Sequence, residues 1–257
     1  MTEPTVRTRA AGLVSWPIAR ATVRERATAP FTLVCFVVIV LLGFVHNQAD
    51  AWGAEAFSNV AAIWFFLLVL ALSAGLLSSE VESGHAQLVL LRPITRASWV
   101  SGRLVGAGFL LCLGGVAGWV VNLAAAMARG EPLEFLPRLL VLPLAILPAL
   151  AWLATAIALS AVMRGFSNAV VLLGARAIWA VTLFGTPVLF PKLPVGAALA
   201  ALDPYVGPQK LFTIVDQVRA GEPVIFSPAL WDLFWLLAAW TCAVWLFNRR
   251  ELARRRA

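Results

Sequence analysis

Six apolar runs separated by polar segments set the plan of the chain, at roughly residues 30–46, 59–79, 104–128, 137–162, 168–189 and 230–247. Most reach the ~20 residues that carry a helix across ~30 Å of hydrocarbon. The first and last are the shortest, yet they hold no internal charge apart from Asp232 near one end of the last. The pattern predicts an all-α, polytopic membrane protein. Its six transmembrane helices occupy 30–247, with an N-terminal region at 1–29 and a basic tail at 248–257.

No long apolar run follows the first charges of residues 1–29, so a cleavable signal peptide is not expected. Ser15 is placed to cap a short helix with Pro17 in its first turn. On that helix Trp16, Val23 and Ala27 share a face that Arg20 and Arg24 flank, the pattern of an amphipathic helix lying in the membrane interface. The lesser alternative for residues 1–13 is a disordered basic tail.

Composition sharpens the class. The chain is 61% hydrophobic and 13% charged, whereas a soluble domain needs roughly twice that share of charge. The formal charge of +7 is almost all arginine, since Lys192 and Lys210 are the only lysines. With the N-terminus inside, fourteen of the 20 basic residues fall on inner segments, five on outer ones, and Arg176 within a span. That asymmetry predicts both termini in the cytoplasm of a cell-membrane protein and makes nucleic acid an unneeded partner.

The outer segment 190–229 is long and rich in Pro and Gly, with short interfacial helices expected at 195–202 and at 208–219, the second ended by Gly221. Gly102 and Gly106, then Gly114 and Gly118, stand four apart and permit close helix contact. Pro143, Pro148 and Pro187 each remove a backbone hydrogen bond and favour kinks, although ordinary membrane-helix composition accounts for them as well. Trp16, Trp52, Trp99 and Trp231 fall near span ends, where an aromatic belt explains them.

Candidate chemistry is sparse. There is no Gly-x-x-x-x-Gly-Lys-Ser/Thr phosphate loop, and neither lysine precedes Ser or Thr. The nearest approach to an ATPase signature, Leu72-Ser73-Ala74-Gly75-Leu76, lies inside an apolar run. Cys35, Cys112 and Cys242 fall one per span and read as core residues rather than a disulfide or metal site. His46 and His85 form no ligand cluster. Nothing here assembles an enzyme active site or a bound cofactor.

The longest polar-containing stretch of the first half, 78–103, carries a specific pattern. It reads Glu80-x-Glu82-x-Gly84-x-x-x-Leu88-x-Leu90-Leu91-x-Pro93-x-x-Arg96, with Gly102-Arg103 six residues on. This resembles the cytoplasmic loop of ABC-2-type transporter permeases, especially the NosY-like branch, although His85 stands where that family usually has Thr. Asp203-Pro204-Tyr205-Val206-Gly207-Pro208-Gln209-Lys210-Leu211-Phe212 faintly resembles the stretch before the last span of the same branch. The resemblance implies an ABC-2, type V exporter-like permease subunit that binds no cofactor itself. Two copies, or one copy and a paralogue, would assemble in the lipid bilayer with separate ATP-binding-cassette ATPase subunits holding ATP and Mg. Glu80, Glu82, Gly84, Leu88, Leu91, Pro93 and Arg96 would then form the element, within 80–103, that seats in the ATPase. Glu80 would also suit a helix N-terminus, and Arg96 would either pair with a partner acid or mark the inner surface.

ATP-powered export of an amphipathic or lipid-like substrate is the leading expectation. Arg176, about eight residues and roughly 12 Å into the fifth span, is the candidate for its pathway, the alternative being a side chain that snorkels to the headgroups. A secondary transporter or channel is disfavoured because such proteins place several ionisable groups near the midplane. A scaffold recruiting an outer-face protein through 190–229 is the third reading.

Overall fold

The computed structural model describes residues 12–45, 54–84, 94–128, 135–189, 195–203, 206–208, 214, 217–218 and 220–254. All the regular structure among them is helical: α1 Trp16–Ala27, α2 Pro30–Val45, α3 Ala54–Ser73, α4 Ser78–Glu82, α5 Arg96–Ala128, α6 Phe135–Ser160, α7 Ser167–Leu189, α8 Val195–Leu202 and α9 Ser227–Arg254. The six long apolar helices begin and end within a few residues of the six runs, apart from N-terminal extension of α3 and α5, extension of α9 at both ends, and an early stop of α3 at Ser73. Among the described residues three stretches are long and apolar enough to cross a membrane, Ile63–Glu80 (from α3 through the turn into α4), Arg96–Ala125 and Ser227–Arg249. Shorter apolar stretches lie at Pro30–Leu41, Ala145–Ser160 and Ser167–Leu183. At about 1.5 Å per residue the 33 residues of α5 run about 50 Å, more than the ~30 Å of hydrocarbon, so its ends project beyond it.

The core lies where α3, α5 and α6 meet, with Leu68, Leu72, Leu111, Leu153 and Ile157 almost fully enclosed. Outward faces are apolar too: Val34 and Val37 on α2, Ile178 and Val181 on α7, Phe234 and Leu237 on α9. In lipid such faces cost nothing, so helix association rests on close packing rather than expulsion of water. The glycines of α5 supply it. A Cβ at Gly102 would meet the Ser15 carbonyl at 2.8 Å, and one at Gly106 the Ala19 carbonyl at 2.5 Å. At Gly118 it would meet the Ile39 carbonyl at 3.1 Å. Small residues on two different faces of α5 thus receive α1 and α2, with the close contact that the four-residue spacing within each pair permits.

The N-terminal helix is present, with Ser15 preceding it and Pro17 in its first turn, but its buried face differs from expectation. Ile18, Ala19, Thr22 and Arg26 face inward, while Trp16 stays 65% exposed and Val23 and Ala27 are only partly covered. The glycines at 102 and 106 bring α1 in close along Ser15, Ile18, Ala19 and Thr22, so the contact with α5 and not hydropathy alone sets the buried face. Ser15 makes no side-chain cap; its backbone N–H donates to the Ser98 carbonyl at 3.1 Å instead. Trp99 likewise departs from the aromatic-belt reading, being buried and stacked on Phe247 with ring centroids 4.7 Å apart.

The segment after α7 turns back into the bundle. Helix α8 lies along α7, matching the helix expected at 195–202. Gly207 is buried, and a Cβ there would stand 2.7 Å from the Trp152 ring, so only glycine allows this approach. Its carbonyl accepts from the Trp231 indole at 3.2 Å. Most of the helix expected at 208–219 lies outside the described residues. Its end is visible: Gly221 N–H donates to Val218 O at 3.3 Å and Glu222 N–H to Gln217 O at 2.9 Å. With Gly221 at φ +67°, this is the paired closure by which a glycine ends a helix.

Candidate functional site

The third helix stops at Ser73, inside an apolar run, and the chain makes a turn through Ala74–Leu77 before α4 begins. Gly75 takes φ +63°, a left-handed conformation that costs glycine little. Breaking a helix among apolar neighbours exposes amides and carbonyls that must find partners. Asn168 of α7 supplies three. Its Oδ1 accepts from Gly75 N–H at 3.1 Å, and its Nδ2 donates to Ser73 O and Ala156 O, both at 3.0 Å. Ser160 Oγ at the end of α6 accepts from Leu77 N–H at 3.0 Å and Ser78 N–H at 3.4 Å. Ser78 Oγ donates to Gly165 O at 3.2 Å. The break is bolted to α6, α7 and the turn between them.

From this anchor α4 carries Glu80 and Glu82. Two residues apart on a helix are about 200° apart, so the two carboxylates cannot face the same way. Glu80 turns inward, 9% exposed, and its Oε1 pairs with Arg103 Nη2 on α5. Glu82 is exposed. Gly84 follows at φ +75°, and among the described residues nothing lies within 4 Å of where a Cβ would stand. Leu88, Leu91 and Pro93 lie outside the described residues. Arg96 Nη1 reaches back to α9, 3.3 Å from Asn248 Oδ1, so its place at the start of α5 is tied to the end of the last helix.

Arg103 is the centre of a charge cluster. Its Nη1 lies 3.0 Å from Glu25 Oε2 and 3.0 Å from Thr22 Oγ1, both on α1, and its guanidinium carbon is 5.9 Å from the Trp99 ring. Arg26 adds a second contact to Glu25 at 3.5 Å. Burial pulls the Arg26 guanidinium below its ordinary value, while Glu25 pulls it back up. Two acids and two arginines therefore meet at the junction of α1, α4 and α5 with no net charge. Among the described residues, Glu80 Oε2 and Arg103 Nε are buried without a hydrogen-bond partner.

Arg176 sits apart, on α7, half-buried. Its guanidinium lies 5.0 Å from the Trp152 ring and within electrostatic reach of Asp203, the residue just after α8. Asp203 also accepts from Trp179 Nε1 at 2.6 Å. The acid near Arg176 is Asp203, brought in because the segment after α7 folds back along it, whereas Asp232 is fully buried on α9. Reasoning from sequence missed Asn168, Ser160 and the central place of Arg103. The available signal was an Asn and an Arg at the edges of otherwise apolar runs.

A family model described as ABC-2 family transporter protein matches residues 16–252. No curated protein matches the chain.

Proposed function

The chain belongs to the ABC-2 transporter family, and from that premise we propose that it is a permease subunit exporting an amphipathic or lipid-like substrate, powered by separate ATPase subunits. The lack of a phosphate loop in its sequence is in keeping with hydrolysis on those partners. Six spans with both ends inside the cell membrane, a second copy or paralogue alongside, and the NosY-like branch complete the reading. The motif at 80–103 and the basic asymmetry of the loops support it.

The observation that carries the reading is the placement of Glu82. It is exposed on a short helix that starts directly from a bolted break, so a push on α4 is delivered to the ends of α3, α6 and α7. Charge reversal at a desolvated contact costs several kcal/mol, so Glu82→Arg is expected to fold normally and lose copurification with its ATPase subunit, or hydrolyse ATP without transport. Normal assembly and transport by Glu82→Arg removes Glu82 from the coupling contact. Substrate movement by the purified chain alone in proteoliposomes would favour a channel or secondary transporter instead.

A further inference from the structure

We propose that Arg103 is a positioning residue for the coupling segment: by gripping Glu80 it ties α4 to the N-terminal helix and fixes the direction in which Glu82 faces a partner. This rests on the coupling role proposed for α4 and adds to it a second input, the position of α1.

A helix of five residues holds no orientation of its own, because one turn is below the length at which helices persist in isolation. The turn at 74–77 fixes where α4 starts, through Asn168 and Ser160, but the outer end of α4 needs another tether. Arg103 is placed to be it. One guanidinium nitrogen pairs with Glu80 and the other with Glu25 and Thr22, and the planar fork of arginine spans two such partners where an ammonium cannot. Helix α1 cannot drift from Arg103 either. It is held against α5 through Gly102 and Gly106, and through the Ser15–Ser98 backbone bond. Since Glu80 and Glu82 point opposite ways, holding one inward presents the other outward. Displacing α1 therefore moves α4, and a partner seated on α4 is felt at α1.

The test uses the full chain in nanodiscs without any ATPase, so it reads the tether separately from coupling. With Cys35, Cys112 and Cys242 replaced, spin labels at Arg24 and Ser83, both exposed, report the distance from α1 to the end of α4. A second pair at Val162 and Glu222 reports the bundle. The parent is expected to give one narrow α1–α4 distance. Arg103→Gln loses that narrow distance while the control pair keeps its own, and Arg103→Lys recovers it only in part. Should Arg103→Gln fail to fold, Glu80→Ala removes the carboxylate from the α4 side, leaves Arg103 with Glu25, and is expected to broaden the same distance. A parent-like α1–α4 distance in either variant overturns the proposal, as does equal broadening at both pairs. Failure of Glu82→Arg to disturb the ATPase complex would overturn coupling and leave the tether standing.

Discussion

Asn168 and Gly75, 93 positions apart, are joined by a hydrogen bond of 3.1 Å from the glycine amide to the asparagine side-chain oxygen. The same side chain returns two hydrogens to the carbonyls of Ser73 and Ala156. Each buried backbone group left without a partner costs about 1–3 kcal/mol. Asn168→Ala strands the Gly75 amide, takes one hydrogen bond from each of the Ser73 and Ala156 carbonyls, of which Ser73 O keeps Leu76 N–H at 3.1 Å, and opens a cavity between α3, α6 and α7. Its melting temperature, read on purified protein in detergent, is expected to fall well below that of the parent. Ser160→Ala, which takes the partner of the Leu77 and Ser78 amides, is expected to fall as well. An unchanged melting temperature in Asn168→Ala would mean that the break does not depend on this side chain.

How far the sequence foretold the fold follows from which interactions are local. Long apolar runs announce their own helices, so α2, α5, α6, α7 and α9 were legible. The break after Ser73 was not, because a glycine inside an apolar run is tolerated in membrane helices and its partners lie on α6 and α7. Which of Glu80 and Glu82 faces inward was likewise hidden. Helical period forbids both, but only Arg103, across the α4–α5 junction, makes the choice. For α1, hydropathy named Trp16, Val23 and Ala27, while the contact surface of α5 is backbone exposed by glycines and accepts Ala19 and Thr22. That contact decided the buried face, and it is visible in sequence only once the facing helix is known.

The glycines give a contrast within one protein. A methyl at Gly106 would stand 2.5 Å from Ala19 O and 2.7 Å from Thr22 Cβ, so it must push α1 away. Overpacking of this kind costs typically ~1–3 kcal/mol. Gly174 on α7 has nothing within 4 Å of the same position, and alanine favours a helix over glycine by ~1 kcal/mol. Gly106→Ala is expected to lower the melting temperature and open α1 to proteolysis, with Gly174→Ala neutral or slightly stabilising. Equal behaviour of the two variants would show that α1 is not seated on α5.

Membrane orientation is open to labelling at positions chosen for exposure. Gly207 is unsuitable, being buried against Trp152. Glu222, Ser83 and Arg164 are exposed. In a background lacking native cysteines, Glu222→Cys is expected to react with a membrane-impermeant thiol reagent added to intact cells. Ser83→Cys and Arg164→Cys should react only after permeabilisation. Labelling of Ser83→Cys from outside would reverse the topology and remove α4 from the cytoplasmic ATPase.

Arg176 tests whether a charge among apolar helices serves transport. It lies roughly 12 Å along α7 from Asn168 at about 1.5 Å per residue, where a lipid-facing arginine would be costly. Its guanidinium lies 5.0 Å from Trp152, an interaction worth about 0.5–2 kcal/mol, and is drawn to Asp203 at the end of α8. Trp179 holds that carboxylate from the next turn of α7. The contacts join the middle of the bundle to the segment that re-enters it, so an anionic group arriving in the pathway would compete with Asp203 for the same cation. Arg176→Ala is therefore expected to express normally and to lower substrate-stimulated ATPase activity of the assembled transporter. Arg176→Lys should recover only part, because an ammonium keeps the charge and loses the planar fork. Asp203→Asn, which removes the competitor but leaves an acceptor for Trp179, should weaken α8 docking yet retain the response to substrate. Full activity in Arg176→Ala would reduce the residue to a brace between α6, α7 and α8.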